Sequence, residues 1–135
     1  MRSGACLCGQ LRFETPDRAK RTVVCHCTFC QRLTGSAFAV WPTFAEADVS
    51  IRGERSRYEH RSDESARWIH LFFCPHCATT VFSRWQEDKG ELALLGGTFD
   101  DTSWITVDRH VWTRSKQHWF SIPAGAPAFE QSSRK

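Results

Sequence analysis

The sequence has no run near the roughly 18 consecutive apolar residues that a membrane-spanning helix requires. Its opening stretch, Met1-Arg2-Ser3-Gly4-Ala5-Cys6, also lacks the apolar core of a secretory signal. No membrane association is therefore expected, and the location expected is the cytoplasm. Charge of one sign is sparse too. Eighteen Lys and Arg stand against 15 Asp and Glu, a net charge of +3, spread too evenly for a nucleic-acid-binding face. Long amphipathic helical patterns are missing, which argues against alternating strand and helix units.

What the chain does have is cysteine, seven in 135 residues, together with ten Phe and six Trp. A chain of this length buries roughly two thirds of its unfolded surface, so the aromatic residues can build a core without covalent staples. In a reducing compartment clustered thiols bind metal or do chemistry more often than they form disulfides. Seven is also an odd number, which leaves any all-disulfide scheme one short.

The expected architecture is mainly β. Short runs with apolar alternation occur at 9–14, 36–41 and 66–72. Further strand candidates are 21–24, 48–52, 55–60, 80–85, 92–96 and 111–113. Gly, Pro, Asp and Ser separate them, as in antiparallel sheets. One helical turn is expected over 27–33, with Thr28 near its start and Gly35 as its C-terminal cap. Residues 1–123 read as one domain and 124–135 as an irregular tail, from Pro123-Ala124-Gly125-Ala126-Pro127-Ala128 to Ser132-Ser133-Arg134-Lys135, pinned by Phe129.

The cysteines divide as four plus three. Cys6-Leu7-Cys8 and Cys74-Pro75-His76-Cys77 supply two sulfurs each and together make a closed Cys₄ zinc site, a structural role. Successive strand residues point to opposite faces, so Cys6 and Cys8 meet one ion only if the backbone bends, and Gly4 and Gly9 flank the pair. Cys25, Cys27 and Cys30 remain. Three protein ligands with one position open is the pattern of a catalytic zinc, and the helix start should lower their thiol pKa values. Two other readings stay open: a closed Cys₃His site completed by His26 or His76, and a metal-free trio with one reactive thiol. His60, His70, His110 and His118 show no ligand spacing and read as surface or packing residues.

These residues resemble a known family, the glutathione-dependent formaldehyde-activating enzymes and the centromere protein V group. The matching pieces are Gly4-Ala5-Cys6-Leu7-Cys8-Gly9-Gln10-Leu11-Arg12-Phe13, Cys25-His26-Cys27-Thr28-Phe29-Cys30-Gln31-Arg32-Leu33-Thr34-Gly35-Ser36, Phe73-Cys74-Pro75-His76-Cys77 and Gly97-Thr98-Phe99-Asp100-Asp101. The resemblance implies a β-tent fold of small antiparallel sheets holding two zinc ions. It implies a structural ion on Cys6, Cys8, Cys74 and Cys77, and an active-site ion on Cys25, Cys27 and Cys30. The implied activity is that of a carbon–sulfur lyase, joining formaldehyde and glutathione to S-hydroxymethylglutathione, with a small-molecule thiol as partner. Ala78 stands where the family usually has Gly, so the turn after Cys77 is expected to avoid positive φ or to shift.

Arg32, one turn after the trio, is the cation expected to offset a fourth thiolate. Thr34, Ser36, Thr98 and Asp100 are weaker candidates for polar contacts and read as cap or turn residues. The competing function classes are a non-enzymatic zinc-binding interaction module and a thiol redox or metal sensor.

Overall fold

The structure is a computed structural model and describes residues 1–133. Ten strands form: β1 Arg2–Ala5, β2 Arg12–Thr15, β3 Arg21–Cys25, β4 Ala39–Ala45, β5 Ser50–Arg52, β6 Ser56–Arg61, β7 Trp68–Phe73, β8 Thr80–Trp85, β9 Glu91–Leu94 and β10 Arg109–Val111. Among the described residues a single α-helix, α1 Thr28–Thr34, follows β3. The protein is mainly β, as its short alternating runs imply. β1, β2 and β5 make a three-stranded sheet; the second sheet has seven strands in the order β10-β3-β4-β9-β8-β7-β6.

Alternation sets the faces. Along β7 Trp68 is exposed while Ile69 and Leu71 are buried, and along β2 Phe13 and Thr15 point inward. Phe13 from the small sheet meets Phe44 and Phe82 from the large one in a shared core that also includes Cys6 and Cys74. All three rings are fully buried, and each contributes about 1.5 to 3 kcal/mol by leaving water. A second core gathers Cys25, Cys27 and Cys30 with Trp41, Ala93 and Val111. Each cysteine cluster thus grows out of its own apolar cluster.

Several boundaries differ from the sequence reading for local reasons. β4 begins three residues later than the run at 36–41 and continues through Pro42 to Ala45. Proline is tolerated there because β9 pairs only with Thr43 to Ala45, leaving no ladder bond for a Pro42 N–H to make. β10 lies at Arg109–Val111, not at 111–113, because Trp112 takes a left-handed conformation (φ 57°) that ends it. β10 also pairs with β3 in parallel, one exception in an otherwise antiparallel sheet. β1 has too little apolar pattern to be read from sequence. It forms by pairing with β2, and Gly4 lets it approach: a Cβ there would stand 2.3 Å from the Thr98 carbonyl oxygen.

Beyond the last strand the chain returns to β10. His110 N donates to Pro127 O at 2.9 Å, Phe129 N to His110 O at 2.9 Å, and Trp112 N to Gln131 O at 3.0 Å. Backbone bonds therefore hold this segment, while the Phe129 ring stays exposed. Arg134 and Lys135 lie outside the described residues.

An ion pair crosses β4 on one face of the large sheet. Arg21 on β3 donates to both carboxylate oxygens of Glu91 on β9, at 2.7 and 3.3 Å. The Arg21 hydrogen bonds, with Lys20 assisting, hold the Glu91 carboxyl at about 2 against its ordinary 4.5. The folded pKa lies below the unfolded one, so the pair stabilises fully above the unfolded value and its contribution fades as pH falls toward 2. Both side chains are less than a quarter exposed, and the contribution is on the order of 2 to 3 kcal/mol. Glu91→Gln is expected to lower stability at pH 7 by that amount and to differ little from wild type near pH 2. Denaturant titrations at several pH values check this; a gap independent of pH would mean that packing, not ionisation, is what the variant loses.

Candidate metal centres and the cavity beside one of them

After β1 the chain turns sharply over Cys6-Leu7-Cys8-Gly9, with Gly9 N bonded to Cys6 O at 3.0 Å and Gly9 at φ 82°. The turn brings the Cys6 and Cys8 sulfurs to 3.6 Å. A second turn over Cys74 to Cys77 places Cys74 Sγ 3.8 Å from Cys8 Sγ, and all four sulfurs lie within 4.8 Å of one another. A zinc–sulfur bond of about 2.3 Å gives a tetrahedron with edges of about 3.8 Å, whereas a disulfide brings sulfurs to about 2.05 Å. All seven cysteines are free thiols. The spacing therefore fits an ion and not a bridge.

Hydrogen bonds around these sulfurs favour thiolate. Leu11 N donates to Cys6 Sγ and His76 N to Cys74 Sγ, each at 3.3 Å, and Gln10 Nε2 donates to Cys74 Sγ at 3.0 Å. The Thr79 hydroxyl and backbone N–H pull Cys77 down to about 5. Burial opposes ionisation of Cys74, yet Gln10 and the N–H groups of Cys77 and His76 outweigh it and lower its pKa. Cys8 goes the other way: the backbone N–H of Gln10 favours its thiolate, but burial and the sulfurs of Cys6, Cys77 and Cys74 push it up to about 11. Four thiolates cannot share this space unaided, and a bound cation is what would let them.

The turn after Cys77 corrects the sequence expectation. Ala78 sits squarely in the left-handed region at φ 65°, where its N–H reaches Cys74 O at 2.8 Å. The turn neither shifts nor avoids positive φ, because that bond carries the chain back over Cys74. An L-residue pays about 1 to 2 kcal/mol for this conformation, and glycine adopts it without strain. Ala78→Gly is expected to raise the melting temperature by about 2 to 6 °C. A lower value would mean that the Ala78 methyl makes a contact worth more than the strain.

The second cluster is delivered by the end of β3 and the start of α1. Cys25 closes the strand, Cys27 is the N-cap whose sulfur accepts from Cys30 N at 3.3 Å, and Cys30 lies in the first turn. Gly35 ends the helix at φ 63° with its N–H on Gln31 O, as the sequence suggested. The three sulfurs lie within 4.8 Å of one another, all buried. Trp41 Nε1 points at Cys30 Sγ from 3.5 Å. Cys25 and Cys30 hydrogen bonds, aided by the N–H groups of Cys30 and Phe29, lower Cys27 to about 3. The expected lowering does not extend to all three. The bond to Cys27 raises Cys25, and burial raises Cys30. The helix start supports one thiolate, and further ionisation there needs a cation.

No histidine completes this cluster among the described residues. His26 is fully buried and packs its ring among Phe38, Phe120 and His110, with Nε2 2.9 Å from His110 Nδ1. Burial, with His110 and Lys116 adding, lowers its pKa to about 4. His76 belongs to the other cluster's turn and its Nε2 lies 3.2 Å from Glu54 Oε2. The His26–His110 pair escaped sequence reading because His26, just after β3, and His110, in the middle of β10, lie far apart in the chain and meet only through the pairing of those strands.

A cavity of about 520 Å³ opens beside Cys25. Its floor is one face of the large sheet, carrying Val23 and Cys25 from β3, Trp41 from β4, and Arg109 and Val111 from β10; Ser65, Arg67, Trp85, Trp112 and Ser133 stand around it. Arg32 is not brought here. It is exposed and lines a separate shallow groove with Ser36, Phe38 and Trp119. Thr34 Oγ1 donates to Cys30 O at 2.9 Å, Ser36 Oγ to Phe38 O at 3.0 Å and Thr98 Oγ1 to Leu95 O at 2.6 Å. Asp100 accepts from Ser3 Oγ at 3.0 Å. These four act as caps and turn locks. The cavity's cations had one legible signal, Arg21 in step with Cys25 on β3; Arg67, Lys89 and Arg109 arrive only through tertiary pairing.

Among the described residues, two sheets, one α-helix and two clusters of cysteine sulfurs able to hold metal ions, one of them wholly buried, define a thiolate-centred β protein, with that buried centre set beside a cavity. A family model described as glutathione-dependent formaldehyde-activating enzyme matches residues 1–115, and the chain belongs to that family. The crystal structure of a Rhodobacter sphaeroides protein shares the fold at a TM-score of 0.58 and 16% identity, covering 94% of this chain and 98% of that one. No curated protein matches the chain.

Proposed function

We propose that this chain is a zinc enzyme of the carbon–sulfur lyase type, acting on a glutathione-like thiol and its aldehyde adduct. In this reading Cys6, Cys8, Cys74 and Cys77 hold a structural zinc, and Cys25, Cys27 and Cys30 hold a second one with its fourth position left for the thiol. The observation that carries the reading is a cluster of three buried sulfurs, with no fourth protein ligand among the described residues and with Cys25 on the wall of a cavity. That cavity is large enough for a small thiol, and it favours an enzyme over an interaction module. Free thiols throughout accord with a reducing compartment, and we propose the cytoplasm. Among the described residues no helix is long and apolar enough to cross a membrane.

Zinc bound at the trio would supply a Lewis acid that keeps a thiol ionised near neutral pH. The chain's own residues do the rest. The sheet floor would place the sulfur beside Cys25, and Trp41, Trp85 and Trp112 give the cavity apolar lining. In the reaction the thiol sulfur adds to the aldehyde carbon, and the thiol proton ends on the new hydroxyl group. The reverse step breaks the same carbon–sulfur bond. Arg32 lies at the groove and not at this cavity, where Arg21 and Arg67 are held by carboxylates; a cationic part in the chemistry passes from Arg32 to Arg109.

The experiment combines metal counting with thiol–aldehyde equilibration. Fully loaded protein is expected to carry two zinc ions per chain and to accelerate both formation and breakdown of the glutathione–formaldehyde adduct, followed by exchange NMR. One zinc per loaded chain, or no acceleration with any thiol and aldehyde pair of a broad panel, sinks the reading.

A further inference from the structure

Strand register orders the side chains on the cavity floor. Cys25 pairs with Val111, and Val23 with Arg109; all four line the cavity. Arg109 therefore shares the face of the sheet that bears Cys25, two residues away along the strand direction. At about 3.3 Å per residue the two levels are about 7 Å apart. Between them the lining is apolar, with Val23, Val111 and Trp41.

Arg109 is half-buried, and among the described residues its guanidinium donates only to the Ser133 hydroxyl, at 3.3 Å. The cavity's other arginines are paired. Arg21 is held by Glu91 at 2.7 Å, and Arg67 by Glu87 at 3.1 Å. A neutral hydroxyl takes one of five guanidinium donors and none of its charge. Glu87, Asp88, Lys89 and Glu91 also line the cavity, but Glu91 and Asp88 face Arg21 and Glu87 faces Arg67; Arg109 thus presents a fork of donors with no carboxylate in ion-pair contact among the described residues, about two residues from the sulfur cluster. A planar carboxylate is the group that such a fork matches best.

We propose that Arg109 is the residue that selects the substrate, by taking a carboxylate of the thiol whose sulfur binds at Cys25, Cys27 and Cys30. The substrate class is a thiol with a carboxylate a few bonds from sulfur, its connecting chain lying along the apolar strip. This rests on the thiol-binding reading of the trio. Neutral thiols fit the same space but give the Arg109 guanidinium no carboxylate to pair with.

The test is equilibrium binding to the zinc-loaded full chain, read by calorimetry and by tryptophan fluorescence. The probes are 3-mercaptopropionate, its neutral counterpart 3-mercapto-1-propanol, and 3-(methylthio)propionate, which keeps the carboxylate and lacks the thiol. Wild type is expected to hold 3-mercaptopropionate about tenfold or more tighter than 3-mercapto-1-propanol, and Arg109→Gln to bring that ratio near one. A ratio near one in wild type, or an unchanged ratio in Arg109→Gln, overturns the proposal. If Arg109→Gln does not fold, Arg109→Lys carries the test, and a wild-type ratio in it overturns the bidentate anchor. If neither thiol binds but 3-(methylthio)propionate binds wild type and not Arg109→Gln, the anchor stands and the thiol reading falls. Binding of none of the three overturns both.

Discussion

Cys74→Ser is expected to abolish soluble, folded protein at ordinary growth temperature, or to lower its melting temperature by tens of degrees. Cys74 is fully buried in the larger core with Phe13, Phe44 and Phe82. Its sulfur accepts from Gln10 Nε2 and from His76 N, and it stands 3.8 Å from Cys8 Sγ. The cluster therefore ties the turn after β1, which belongs to the small sheet, to the turn between β7 and β8 in the large one. A structural zinc contributes about 10 kcal/mol or more in small zinc domains, against a net domain stability of about 5 to 15 kcal/mol. With the proposed zinc on these four sulfurs, removing one ligand takes away a large part of that contribution and leaves three crowded sulfurs, a sum that a domain of this size does not survive. Soluble yield, circular dichroism melts and zinc content measure the effect. A Cys74→Ser protein that melts like wild type would show that the four sulfurs are not a structural tie.

The parts of this fold legible in the sequence were those determined locally. The short alternating runs located most strands because burial on one face writes itself with period two. Gly35 and Thr28 located α1 to within a residue because caps depend on a few neighbouring positions. The four-plus-three division of the cysteines was legible for the same reason, since each half-site is a single turn. What required the whole chain was not legible. The parallel placement of β10 beside β3 joins segments far apart in sequence, and it alone brings Arg109 to the level of Val23. The left-handed Ala78 runs against its residue type and is imposed by the bond to Cys74 O. Arg32 looked well placed by its distance from the trio along the chain, yet one helical turn carried it to another face.

The second large effect is expected at Cys27, and the reason lies in the helix it caps. Serine is among the preferred N-cap residues, so in Cys27→Ser the hydroxyl can accept from Cys30 N as the sulfur does now. α1 should persist, and with it the Gly35 cap and the packing of Cys30 against Trp41. The larger core, which holds the other four cysteines' buried members Cys6 and Cys74, is not touched. The variant is therefore expected to fold, with a melting temperature within a few degrees of wild type, while its zinc content falls from the proposed two ions to one. Loss of a group that merely orients a metal ligand already costs 10- to 100-fold in affinity or activity in general, so loss of a ligand should reduce turnover by about 100-fold or more. Cys27 is also the sulfur whose thiolate the cluster supports most, with its pKa lowered to about 3. Circular dichroism, metal analysis and adduct kinetics on one preparation separate the outcomes. Unfolding as severe as that of Cys74→Ser would remove the division between a structural and a reactive centre, and full activity with one zinc would move the chemistry away from the trio.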